Sequence, residues 1–205
     1  MNGMTRIFLV RHAPVDAPRG VIHGPRAPVD LSDVAGLAAL KAVLPVAAPT
    51  FCSPARRTRD TALALRLEPT MAPDFREQDF GAWTGRRHDD IAAREGDAYH
   101  AFWQSPAINT PPGGESFVEQ VRRVAEGLAK LPDGDVIAVV HSGTIRAALA
   151  IALDCAPEQA LRFVVDPLSL TRIDRLASGW RVGAVNRAYL TAHDDDSRIS
   201  GNAPR

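Results

Sequence analysis

Arg11 and His12 stand side by side directly after the apolar run Ile7-Phe8-Leu9-Val10, and His141, Ser142 and Gly143 directly follow Val136-Ile137-Ala138-Val139-Val140. A third polar cluster, running from Ser53 to Arg57, follows the short run Thr50-Phe51-Cys52. An imidazole can act as base, acid or nucleophile near neutral pH, and a guanidinium offers a planar fork of donors that fits the oxygens of an anion. If the three apolar runs are strands, all three clusters sit at strand ends. A helix opening at such a point presents free N–H groups and a positive dipole end, which suit phosphate. Arg11 and His12 would face opposite sides of a continuing strand. At a strand terminus the backbone can bend and bring both into one pocket.

The elements that must position these residues follow from periodicity. Residues 136–140 are apolar throughout, as expected of a central strand covered on both faces, and 7–10 and 50–52 read as shorter buried strands. Asp30-Leu31-Ser32 opens an amphipathic helix ending near Leu44 and Pro45, with Ser32 as its N-cap. Ser53-Pro54 opens a second helix, Ser at the cap and Pro in the first turn, which carries Arg57 and Thr61 to about Leu67. Residues 74–83 read as irregular, two polar helical stretches lie between Asp89 and Trp103, and 110–114 is a loop. Ser116 begins a helix with Val118, Val121, Val124, Ala125 and Leu128 on one face, and another helix runs from Thr144 to Leu153. Two alternating runs, 169–173 and 180–185, read as antiparallel edge strands. This order predicts an α/β three-layer sandwich, a mostly parallel central sheet with helices on both faces. Function gathers at the C-terminal ends of the strands in such sheets. Residues 1–192 are expected to form one domain and 193–205 a disordered polar tail.

The 205 residues carry 24 Lys+Arg and 24 Asp+Glu, so the net charge is zero and any anionic ligand must be met by local charge. Nothing in that balance suggests a nucleic-acid partner or a polybasic membrane contact. Arg6, Arg11 and His12 interrupt the early apolar run, so no signal peptide is read, no run approaches a membrane span, and a cytoplasmic location is expected. Cys52 and Cys155 lack zinc or redox spacing and are expected to be reduced core residues. His23, His88, His100 and His193 make no metal-ligand spacing and read as surface or pocket-rim groups, and Asp194-Asp195-Asp196 as a solvated acidic run. No glycine motif for a nucleotide is present. No metal and no cofactor are expected.

The ordered motifs resemble the histidine phosphatase superfamily, the phosphoglycerate-mutase-like proteins, over most of the chain. The strand leading to Arg-His-Gly corresponds to Leu9-Val10-Arg11-His12-Ala13, and Ser-Pro-x-x-Arg-x-x-x-Thr-Ala to residues 53–62 with Arg57, rather than Arg56, at the arginine position. Glu-x-x-x-Gly-x-Trp-x-Gly is matched by Glu77, Gly81, Trp83 and Gly85, Gly-Gly-Glu-Ser by residues 113–116, and the closing strand-His by Val139-Val140-His141. The resemblance implies a phosphomonoesterase working through a phosphohistidine. It makes His12 the nucleophile, Arg11, Arg57 and His141 the groups around the phosphate, and Glu77 the acid for the leaving oxygen. Glu115 would fix an Arg or His from behind, and Ser142 would lie near the phosphate, through its side chain or only its backbone N–H. Such chemistry needs positioning and charge stabilisation above all, and neighbouring arginines would keep His12 neutral for attack. Two departures stand out: Ala13 replaces the usual Gly, and Pro18 or Arg19 stands where many members place an Asn.

Within the resemblance, residues 75–86 and 101–116 are similar to the alpha-ribazole phosphatases of cobalamin assembly. Tyr99, Phe102 and Trp103 would then wall the pocket for a flat base, or else form the core of a small helical lid. The rival readings are a phosphoglycerate mutase, whose members are longer, and a catalytically weak module that binds a phospho-ligand. The partner expected is a small phosphorylated metabolite, and a homodimer stays open.

Overall fold

The computed structural model describes residues 3–189. The expected tail, with His193 and the Asp194-Asp195-Asp196 run, lies outside the described residues. Six strands form one sheet in the order β3-β2-β4-β1-β5-β6. The first, β1 (Thr5–Arg11), and β4 (Gly134–Val140) pair in parallel at the centre, with β2 (Thr50–Cys52) parallel to β4 and β3 (Thr70–Met71) parallel to β2. On the other side β5 (Leu170–Leu176) and β6 (Gly179–Arg187) run antiparallel.

Side chains alternate across this sheet and so divide the core into two layers. Ile7 and Leu9 of β1 and Val136, Ala138 and Val140 of β4 face α5 (Phe117–Ala129), α6 (Ser142–Leu153) and the short α7 (Pro157–Ala160). Val10, Ile137, Val139 and Cys52 face α1 (Val34–Val43) and α2 (Arg56–Ala64). The three-layer sandwich is therefore the observed fold, and β1 and β4, covered on both faces, carry the apolar runs that such burial demands. A separate small cluster of Ile22, Trp83, Ile91 and Phe102 holds α3 (His88–Arg94) and α4 (Gly96–Gln104) over the C-terminal end of the sheet. Trp83 is its centre, and its indole N–H donates to Glu95 at the α3–α4 junction, 2.8 Å away.

Several local expectations are corrected. The cap of α1 is Asp33, whose carboxylate accepts from Gly36 N–H at 2.8 Å, while Ser32 lies one residue outside it. Ser53 does not cap α2. That helix starts at Arg56, and its hydroxyl-bearing neighbour is used elsewhere, as described below. The helix stops at Ala64, short of Leu67. Of the two runs expected as edge strands only β6 is one, since β5 lies between β1 and β6, and the other edge is the two-residue β3, which carries no sequence signal. The buried face of α5 is Phe117, Gln120, Val124, Gly127 and Leu128, rotated from the apolar stripe because Gln120 is turned inward. Cys52 is buried, and burial pushes its thiol up to about 11; Cys155 is half-buried against the core.

The cap correction can be measured. Asp33→Ala should destabilise the protein by about 1 kcal/mol, the usual worth of an N-cap side chain. Ser32→Ala should stay within about 0.5 kcal/mol of the parent, as for surface substitutions without a defined role. Urea midpoints read both, and a larger loss at Ser32 would contradict the assigned cap.

Candidate active site

The end of β1 delivers His12 because its backbone N–H continues the sheet, donating to Val140 O at 3.0 Å. The chain then turns, and Ala13 N–H donates to Thr61 Oγ1 on α2 at 3.0 Å. The methyl group at residue 13 is fully buried without obstruction, so Ala serves where Gly is usual. His12 is 4% exposed, and its Nδ1 lies 2.7 Å from Ala13 O. A carbonyl oxygen can only accept, so Nδ1 carries the proton and Nε2 is left with its lone pair. Its ring lies 5.2 Å, centroid to centroid, from that of His141.

His141 is fully buried at the end of β4, and both of its nitrogens are engaged within the protein. Arg57 Nε–H donates to His141 Nδ1 at 3.2 Å, so the proton sits on Nε2, 2.8 Å from Ser53 Oγ. The same hydroxyl oxygen accepts from Ala55 N–H at 3.3 Å. Arg57, which can only donate, thus fixes the tautomer of His141, and Ser53 Oγ holds the ring's other nitrogen. The Arg57 fork is further tied by Nη1 to Gly24 O at 2.9 Å. A helix opens directly after β4, as expected, but the opening of α2 is closed off, because Arg56 N–H donates to Pro25 O at 2.8 Å. The N-terminus of α6 is the one at the cleft, through Ser142 and Gly143.

These groups line one end of a cleft of about 500 Å³. Arg11, His12, Arg57, Glu77 and Ser142 all border it, while His141 lines an adjoining pocket of about 260 Å³ that shares Arg57 and Glu77 with the cleft. A further cationic group, Arg146, also borders the cleft, and neither Pro18 nor Arg19 does. Arg146 stands one helical turn beyond Ser142, a spacing that puts both on the same face of α6; that was the available sequence signal. Arg11 and Arg146 are held by one stretch of chain, Arg11 Nη1 donating to Val165 O and Arg146 Nε to Phe163 O. Among the described residues none of the three arginines pairs with a carboxylate within 4.0 Å, and Arg11 Nε is buried with no partner. Their anchors are carbonyls, which orient without neutralising. Burial pulls all three guanidinium groups down from their ordinary pKa, and Glu77 opposes that pull on each.

Glu77 reaches the site from the loop after β3. Arg123, on α5, clamps that loop by donating through Nη1 to Asp74 O and Arg76 O at 2.7 and 3.1 Å. Glu115 pairs with the other face of Arg123 and accepts Asp79 N–H at 3.1 Å. The arginine that Glu115 fixes is therefore one that holds the loop carrying Glu77, not one that borders the cleft. Gly81 and Gly114 lie where this loop crosses the 112–114 segment, and a Cβ on either would come within 2.2 Å of backbone oxygen.

The outer cleft is apolar and aromatic. Phe80, Phe102 and Trp103 line it, while Tyr99 does not: its hydroxyl bonds His88 Nδ1 at 3.0 Å inside the lid. Trp103 is 44% exposed and Phe102 is 3% exposed, so one presents a free face and the other is lid core. His23 and His88 border the cleft as rim groups, and His100 is exposed. No helix of the described residues is long and apolar enough to cross a membrane, and no three His, Cys, Asp or Glu among them converge as metal ligands.

Residues 7–188 match the histidine phosphatase superfamily (branch 1). The chain belongs to that superfamily. A bifunctional protein of Mycobacterium tuberculosis is 31% identical in a 191-residue alignment that covers 85% of this chain and 51% of that protein. The chain thus spans about half the length of such curated relatives. A metal-independent phosphoserine phosphatase of Arabidopsis thaliana is 34% identical over 70% of this chain and 67% of its own length. The alpha-ribazole phosphatase of Shigella flexneri superposes with a TM-score of 0.79 at 23% identity, covering 89% of this chain and 96% of that one, and so shares the fold.

The histidines give the site its pH dependence. Burial, then the charges of neighbouring His141, Arg57 and Arg11, holds His12 well below 6.5, and burial with Arg57, Arg11 and Arg123 does the same for His141. Both folded values are depressed, so the unfolded chain binds the protons that the folded site refuses. This stabilisation is complete above about pH 6.5 and is lost as the pH falls through the folded values. Imidazole titrations by NMR should show both rings neutral at pH 6. A midpoint for His12 at or above 6.5 would contradict the assignment.

Proposed function

We propose that this chain is a metal-independent phosphomonoesterase in which His12 Nε2 attacks the phosphorus of a small phosphorylated metabolite. The observation that carries the reading is a neutral histidine with one bare nitrogen at the edge of a cleft bordered by three guanidinium groups that have no carboxylate partner. Arg11, Arg57 and Arg146 supply donors for the equatorial oxygens, with Ser142 and the opening of α6 beside them. His141 serves by keeping Arg57 in place, and it contacts the phosphate itself only if its Nε2–H leaves Ser53. Glu77 protonates the leaving oxygen. Water, with Glu77 now as base, then releases phosphate from His12.

The substrate reading follows the outer cleft. The exposed Trp103, with Phe80 lining the same cleft, suits stacking on a flat base, and the resemblance of residues 75–86 and 101–116 to alpha-ribazole phosphatases points to alpha-ribazole 5′-phosphate or a related base-bearing monoester. Its kcat/KM should exceed those of phosphoserine and 3-phosphoglycerate at least tenfold, about 1.4 kcal/mol. The reverse order removes this substrate and leaves the phosphatase. Mutase activity on 3-phosphoglycerate with a bisphosphate primer would replace the hydrolase reading altogether, and binding without turnover would make the chain a phospho-ligand module.

His12→Asn should lower kcat by about three orders of magnitude or more, as for nucleophiles that act in a unit with their partners. Activity should survive EDTA, because the arginines supply the charge a metal would otherwise bring. Near-parental turnover in the variant, or loss with EDTA restored by a divalent ion, would overturn the mechanism. Glu77→Gln should lower kcat/KM by about 10²–10⁴ on alkyl phosphates and by far less on 4-nitrophenyl phosphate, whose leaving group needs little protonation. Equal losses would deny Glu77 the acid role.

A further inference from the structure

Gln120 is a fully buried amide in a helix face otherwise apolar or glycine, and nothing in the apolar pattern of α5 calls for it. Its Nε2 donates to Glu77 Oε1 at 3.2 Å and to Arg76 O at 3.3 Å. Its own Oε1 is buried with no partner. The unsatisfied carbonyl shows that the amide is held by its donor end alone. Turning it over would take the donor away from both Glu77 Oε1 and Arg76 O and set a third acceptor against them.

The consequence falls on Glu77. Its Oε1 accepts twice, from Gln120 Nε2 and from Gln78 N–H at 3.1 Å. Both acceptor directions of that oxygen are taken, which leaves no place on it for a proton. Its Oε2 has one long contact, Gly143 N–H at 3.4 Å. Gly143 borders the cleft and has no side chain, and a Cβ there would stand 2.2 Å from Glu77 Oε1 and 2.9 Å from Gln120 Oε1. The three residues interlock, and each closes off an alternative for the next.

We propose that Gln120 is a positioning residue for the acid step: by occupying Glu77 Oε1 it assigns the transferable proton to Oε2. Gln120 touches neither the cleft nor the substrate and acts through Glu77 alone. The inference rests on Glu77 being the acid. Arg11, Arg57 and Arg146 are the charged groups that act on Glu77 from β1, α2 and α6, and Gln120 is the neutral group that faces it from α5.

The test reads kcat/KM, which reports phosphoryl transfer to His12 without the later hydrolysis. Gln120→Leu should lower it at least tenfold on an alkyl phosphate and less than threefold on 4-nitrophenyl phosphate. Equal losses on both, or none, would overturn the proposal. If that variant does not fold, Gln120→Glu decides. A second carboxyl beside Glu77 disfavours its ionisation, so the basic limb of the kcat/KM profile should rise by a pH unit or more, and an unmoved limb would overturn the proposal. Glu77→Gln on the same two substrates separates the failures. If it shows no leaving-group dependence, the acid assignment itself is wrong; if it does and the Gln120 variants do not, only the role of Gln120 falls.

Discussion

A histidine can attack phosphorus only from a bare nitrogen, and here one hydrogen bond decides which nitrogen that is. The proton on His12 Nδ1 is committed to Ala13 O at 2.7 Å. That carbonyl is where it is because β1 ends at Arg11, the next backbone N–H is still bound to β4, and the following one is caught by Thr61 of α2. Thr61 is itself bound to Arg57 O at 2.7 Å. The orientation of His12, the proposed nucleophile, is thus a property of the junction between two strands and a helix, and the sandwich is the frame for that junction.

The charge around His12 obeys a related constraint. A carboxylate beside any of the three arginines would orient it well but would also neutralise it. The fold instead ties them to carbonyls, Val165, Gly24 and Phe163, and to a neutral imidazole. Their positive charge stays available for a dianion, and it also disfavours protonation of His12 and His141. Among the described residues Glu77 is the carboxylate that borders the cleft; it is kept more than 4.0 Å from all three and is carried on a loop that Arg123 and Glu115 clamp from the other side.

Much of this was legible in the sequence because it depends on local order. Strand-ending polar pairs such as Arg11-His12 and His141-Ser142 are visible wherever an apolar run stops, and the burial of residues 136–140 needs no more than their uniform apolarity. What stayed hidden depends on pairings between distant segments. Ser53 looks like a helix cap, yet its hydroxyl belongs to His141, 88 residues away. Gln120 looks like a solvent-facing residue until the loop carrying Glu77 is laid against α5. Tyr99 shares the composition of a binding wall with Trp103, but only three-dimensional packing shows that its hydroxyl is spent on His88. Periodicity reports which face of a helix is apolar; it is silent on a polar group turned inward to hold another.

The central claim is that Nδ1–H to Ala13 O leaves Nε2 as the attacking atom, and the position of the bond formed tests it directly. The phosphorylated intermediate, trapped during turnover and examined by phosphorus–nitrogen coupling in NMR with labelled histidine, should carry its phosphoryl group on Nε2 of His12. A phosphoryl group on Nδ1, or on His141, would contradict the account.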